Sequence, residues 1–280
     1  MKTFCIDPTA LYRAAVICSC CIGLTFGSVS PSCLAQTSKG AEGYFQRALS
    51  ESRELPTQEQ AVRDFDSAIK LSPGTTKYYA NKAELLFVLE EDEAALAAAD
   101  KAIKLDPKCE LAWYAKAKAQ GRLKRPEEAL KSINVVLSLS PKDALTLETR
   151  ARLYVVQNRW QEAEKDLDQA LNLSAGLISA YNDRINVCQH LKQWSKVVSD
   201  CTACLKIQTD HPGRMLQSRA RAYAALHDYA KAVDDLKQAV KIWPDDIKVH
   251  RELEAVYKAM GDQKGQAMEA EKIKSLNRDY

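Results

Sequence analysis

The eight residues DSAIKLSP at 66–73 are written again along the chain. They return as DKAIKLDP at 100–107, NVVLSLSP at 134–141, DQALNLSA at 168–175 and KQAVKIWP at 237–244, with a weaker TACLKIQT at 202–209. The closing residues fall at 73, 107, 141, 175, 209 and 244, so the steps are 34, 34, 34, 34 and 35. Apolar residues every third or fourth position describe a helix with one buried face, and a proline just beyond it stops the helix. A fixed period of this length constrains the fold more than any other feature. Each unit is too small to bury its own apolar face and must stack on the next, which predicts an all-α array rather than one central core.

The positions inside the units agree in phase. The clearest unit carries Trp113, Ala117, Ala129, Val136 and Pro141, and the one before it Tyr79, Ala83, Leu86, Ala95, Ala99, Ala102 and Pro107. Leu147, Ala151, Tyr154, Ala163, Leu167 and Ala170 follow, then Leu216, Ala220, Tyr223, Ala232, Leu236, Ala239 and Pro244. Pro73, Pro107, Pro141, Pro212 and Pro244 are read as lying between units, and Pro56 and Pro126 between the two helices of a unit. Gly74, Gly176 and Gly213 are placed at unit junctions, Gly261 and Gly265 at the last turn within a unit. Trp160, Trp194 and Tyr229 recur near the start of the second helix, where a large ring wedges a helix pair. In these residues the chain resembles the tetratricopeptide-repeat family over nearly all of 41–280. The resemblance implies about six to seven helix-turn-helix repeats in a right-handed superhelix, after a short linker at 36–40. The polar last segment, KGQAMEAEKIKSLNRDY, is expected to be a solvating cap.

Residues 1–35 have another character. Lys2 and Arg13 precede the uncharged run 14–29, and Cys33 and Ala35 stand before Gln36 as at a small-residue cleavage site. That order is expected of a secretory signal peptide, so an exported, periplasmic or extracellular chain is expected. An uncleaved N-terminal membrane anchor is the alternative, although the run is shorter than the ~20 residues of a spanning helix.

The formal charge of +3 is close to balance, so nothing in it points to nucleic acid or to an anionic membrane surface. No P-loop, Rossmann glycines, H-E-x-x-H or G-x-S-x-G is present, and His190, His211, His227 and His250 are scattered. Neither enzyme, metal nor cofactor is expected. A recurring basic residue in the first helix (Arg47, Lys82, Lys116, Arg150, Arg184, Arg219) could be a phosphate ladder. Yet Asp166, Asp200 and Asp235 lie sixteen residues after their arginines and Asp64 seventeen after Arg47, while the two lysine units have Ala98 and Ser132 there. Arginine with aspartate at that spacing reads as a bidentate pair between the helices of one unit. Cys201 and Cys204, with Cys188 before them, occupy core places; they read as packed thiols, with an oxidised pair or a zinc site as alternatives.

The resemblance also implies a binding groove lined by the outward side of each first helix. By phase this gives Lys77, Ala80 and Glu84, then Tyr114, Lys118 and Arg122, then Glu148 and Arg152. Asn182, Asn186, Gln189 and His190 follow, then Arg214, Gln217 and Arg221, and finally Lys248, Arg251 and Lys258. Such a lining is basic and rich in amides, suited to an acidic segment or the C-terminal carboxylate of a protein or peptide partner. The family's carboxylate clamp is matched only in fragments (Asn186, Lys248), and Ser218 and Glu252 stand where it needs asparagine and a base. A non-enzymatic protein-binding scaffold is therefore expected, with a self-associating structural subunit of a cell-envelope assembly as the alternative.

Overall fold

The computed structural model describes residues 40–52, 58–207 and 211–277. Among them are α-helices and no strand. The chain divides into two compact units, the first ending at Pro141 and the second beginning at Lys142. In the first unit lie α1 (Ala41–Glu51), α2 (Gln58–Leu71), α3 (Thr76–Val88), α4 (Asp92–Leu105), α5 (Glu110–Arg122) and α6 (Pro126–Leu139). In the second lie α7 (Ala144–Val156), α8 (Trp160–Leu173), α9 (Ile178–His190), α10 (Trp194–Lys206), α11 (Pro212–Ala225), α12 (Tyr229–Ile242), α13 (Ile247–Met260) and α14 (Gln263–Leu276). Odd-numbered helices are the first of a pair and even-numbered the second. The segment 1–35, the linker at 36–39 and Pro56 lie outside the described residues.

Buried clusters show why the pairs stack. Phe45, Ala48, Ala61, Phe65 and Ala68 of α1 and α2 are completed by Tyr78 and Leu85 of α3. Ala83 and Leu86 of α3 with Ala95 and Ala99 of α4 take Ala115 and Ala119 from α5. In the second unit α7 and α8 share a core with Ala180 and Val187 of α9, and α11 and α12 with Val249 and Leu253 of α13. Each core thus uses two helices of one pair and the first helix of the next. Fully buried alanines at 83, 95, 99, 151, 163, 220 and 232 let the backbones approach, and the larger side chains around them fill the space.

The turn inside six of the pairs, from α3–α4 to α13–α14, repeats as closely as the helices. Glu90, Lys124, Asn158, Lys192, His227 and Gly261 all have left-handed φ, between 58° and 78°. The next N–H reaches back five residues, from Glu91 to Leu86 O at 2.9 Å, Gln193 to Cys188 O at 2.8 Å and Asp262 to Tyr257 O at 3.0 Å. This is a Schellman end, which satisfies carbonyls that a helix C-terminus leaves open. Only the last turn uses glycine. Pro126 and Pro212 prove to be the first residues of α6 and α11, where a missing N–H costs nothing. Gly213 and Gly265 lie inside helices rather than in turns. A Cβ on Gly213 would sit 2.7 Å from the Trp243 ring, and one on Gly265 2.7 Å from Tyr257, so both glycines make room for an aromatic.

Candidate protein-interaction surface

The basic residue in the middle of α1, α3, α5, α7, α9 and α11 is held by carboxylates. Arg150 donates from Nε and Nη2 to Asp166 at 2.7 Å each, Arg219 likewise to Asp235 at 2.8 Å each, and Arg184 to Asp200 at 2.9 and 2.6 Å. Arg47 grips Asp64 in the same bidentate way. Asp64, Asp166, Asp200 and Asp235 are all at most 5% exposed, so these are buried acids made tolerable by a guanidinium fork. The hydrogen bond to Asp166 raises Arg150 above its ordinary value, as Asp235 does for Arg219. The lysine units use another partner. Lys82 pairs with Asp66, and Lys116 with Asp100 at 2.7 Å. Those acids lie sixteen residues before the lysine, on the preceding second helix. Arg184 uses both directions, with Nη1 on Asp168 at 2.7 Å. The signal for these pairs is in the sequence, an aspartate sixteen residues before each lysine, on the helix that the stacking brings alongside.

The outward positions divide into two kinds. In the first unit Lys77 pairs with Glu42 at 2.8 Å and lies over Phe45, and Lys118 pairs with Glu84 at 2.9 Å over Phe87 and Tyr114. Arg122 holds Asp92 at 2.7 Å and stacks on Phe87, 3.9 Å from the ring centre. In the second unit Arg152 bridges Glu148 and Asp183, and Glu252 receives Gln217 at 2.9 Å and Arg221 at 3.1 Å. Much of the basic charge read from these positions is therefore neutralised by acids, most of them one repeat away. Ala80 and Glu148 are buried, Ala80 against Ala102 and Ala112, and so face no open surface.

The remainder lies on one stretch of the second unit. Asn182 and Asn186 of α9, Arg214 of α11, and Lys248, Arg251 and Lys258 of α13 are exposed. Their side chains make no hydrogen bond or ion pair among the described residues, and neither does that of the half-buried Gln189. Beside them the exposed His190 stacks on Trp160 with centroids 3.7 Å apart and planes 14° apart. This face offers amide donors and acceptors together with uncommitted cations.

The cysteines do something else. Cys188, Cys201 and Cys204 are free and wholly buried, in one cluster with Ile185, Val197, Met215 and Ala222. Burial pushes the Cys188 and Cys201 thiols up to about 12 and Cys204 to about 11, the opposite of an activated thiol. Among the described residues no three His, Cys, Asp or Glu are grouped to hold a metal ion, and no helix is long and apolar enough to cross a membrane.

Family models described as tetratricopeptide repeat match residues 59–109, 82–144 and 213–246. No curated protein matches the sequence. Among solved structures the chain is similar to YrrB, described as a TPR protein with an unusual peptide-binding site (22% identity, TM-score 0.58, 66% of this chain and 95% of that one). It is also similar to PilW, described as a widely conserved type IV pilus biogenesis factor (17% identity, TM-score 0.64, 73% and 94%). A tetratricopeptide repeat protein from Parabacteroides merdae matches at 16% identity and TM-score 0.57 over 84% and 93%. At these identities the likeness is one of fold. The matches place tetratricopeptide repeats at 59–144 and 213–246, and the other helix pairs share cores in the same manner, so the fold is that of a tetratricopeptide-repeat array.

Proposed function

We propose that this chain is a non-catalytic scaffold that holds a protein or peptide partner on the first-helix face of its second unit. The observation that carries the reading is the contrast in side-chain commitment. Lys77, Lys118 and Arg122 are occupied by internal acids, whereas Asn182, Asn186, Arg214, Lys248 and Arg251 remain open to a ligand. Amides suit the backbone of an extended segment and the cations suit its carboxylates, so the partner is an acidic or C-terminal segment. YrrB, similar in fold, is described as having a peptide-binding site, which is in keeping with this reading. Export fits the same account, with residues 1–35 as a signal peptide; N-terminal sequencing of the mature chain should then begin at Gln36, and an intact Met1 would contradict it.

The test is capture of the partner by the parent and by Arg214→Glu/Lys248→Glu/Arg251→Glu. All three side chains are exposed, so the variant should fold as the parent does. Binding should fall by about tenfold or more, and the parent's binding should weaken as salt rises. Equal capture by both would reject the surface. Arg152 and Arg221 make poor tests, because their loss also strands Glu148 or Glu252.

A further inference from the structure

The repeats that start at α9 and α11 differ in one contact. Arg184 uses Nε and Nη2 on Asp200, and its Nη1 ends on the Asp168 carboxylate of the preceding second helix. One repeat later Arg219 uses Nε and Nη2 on Asp235 in the same way, but its Nη1 meets only Thr202 Oγ1, at 3.0 Å. Thr202 stands one period after Asp168, and its own hydroxyl proton goes to Val198 O at 2.7 Å. The third arm of the guanidinium therefore lies on a neutral oxygen where the neighbouring repeat supplies a charge.

Thr202 and Arg219 line a cavity of about 700 Å³ between α10, α11 and α12. Lys206 and Lys241 also line it, both exposed and neither with a hydrogen bond or ion pair among the described residues. Among the described residues no aspartate or glutamate is on the lining. The rest is largely apolar, with Leu205 and Leu216 forming wall and Ile242 left 43% exposed. The cavity's volume is in the range of small-molecule sites, ~300–1,000 Å³, and it stands more open to solvent than an enclosed cavity. We propose that this cavity binds a medium-chain fatty acid. Its carboxylate accepts from Arg219 Nη1, as Asp168 does from Arg184 one repeat earlier, with Lys206 and Lys241 beside it. Its chain covers Leu205, Leu216 and Ile242. A free acid, one charge on an apolar chain, matches a lining of three cations and apolar side chains.

The experiment is calorimetric titration of the full chain with decanoate and with decanol, repeated on Thr202→Asp and on Lys206→Gln/Lys241→Gln. Thr202→Asp supplies the repeat's own acid to Arg219, and the lysine variant removes two exposed charges that hold nothing in the fold. The parent should bind decanoate about tenfold or more tighter than decanol, the worth of a charge-assisted contact. Both variants should lose that preference, with thermal unfolding of Thr202→Asp at or above the parent's. Absence of decanoate binding, equal affinity for decanol, or a preference unchanged in both variants would overturn the proposal. Tighter binding of a peptide with a free C-terminal carboxylate, lost in the same variants, would also overturn it. Should Thr202→Asp fail to fold, the lysine variant alone decides.

Discussion

Arg184 joins two helix pairs by holding Asp200 with one edge and Asp168 with the third arm of its guanidinium. Arg219 has no such second acid, its guanidinium is mostly covered and its partner Asp235 is 3% exposed, so Asp235→Ala strands a buried cation and should cost about 3–5 kcal/mol in urea unfolding. Lys82→Ala should cost less than about 1 kcal/mol, because its partner Asp66 is 56% exposed and already solvated. Similar costs for the two variants would contradict this division. The left-handed turn residue offers a change in the other direction. Lys192 at φ 58° carries a Cβ where glycine would not, and Lys192→Gly should raise stability by about 1 kcal/mol, with Gly261→Ala lowering it similarly. The buried thiols set a pH dependence. Their folded values, about 11 to 12, lie above the ordinary value of 9.0, so the unfolded chain loses those protons first. Stability that is intact below pH 9 is therefore lost as pH rises from there through 12. Replacing Cys188, Cys201 and Cys204 by alanine should flatten that alkaline slope in a denaturant series, and an unchanged slope would place its origin elsewhere.

At the scale of helices, the pairing was legible because several independent signals kept the same 34-residue phase: Ala95, Ala129 and Ala163 in the second helices, Trp160 and Trp194 at helix starts, and Pro126 one period before them. What could not be read was direction across the stack. Lys82 and Lys116 looked unpaired because the acid was sought within their own unit, while the nearest carboxylate in space belongs to the helix before. Gly213 and Gly265 looked like turn residues for a related reason. Their role is to admit Trp243 and Tyr257, a contact that only packing brings about. The Schellman turns at 90, 124, 158, 192 and 227 left little trace, since Glu, Lys, Asn, Lys and His stand where glycine would have marked them. Packing at the small positions is tight enough to test: Ala99→Leu should lose about 1–3 kcal/mol through overpacking in the core that α3, α4 and α5 share. A neutral result would mean that the helices can move apart.

At the scale of the molecule, the repeat establishes a surface long before it identifies a ligand. The sequence told that first helices present polar side chains outward, and Arg214, Lys248 and Arg251 are indeed exposed. It did not tell which of those side chains are already spent, because Lys118 and Arg221 find their acids only after the pairs have stacked. The central claim is that a protein partner lies on the face of α9, α11 and α13. Amide hydrogen exchange of the full chain, free and saturated with its captured partner, tests it most directly. The account predicts added protection concentrated in those three first helices and little change in α10, α12 and α14. Protection confined to the second helices, or to the first unit, would contradict it.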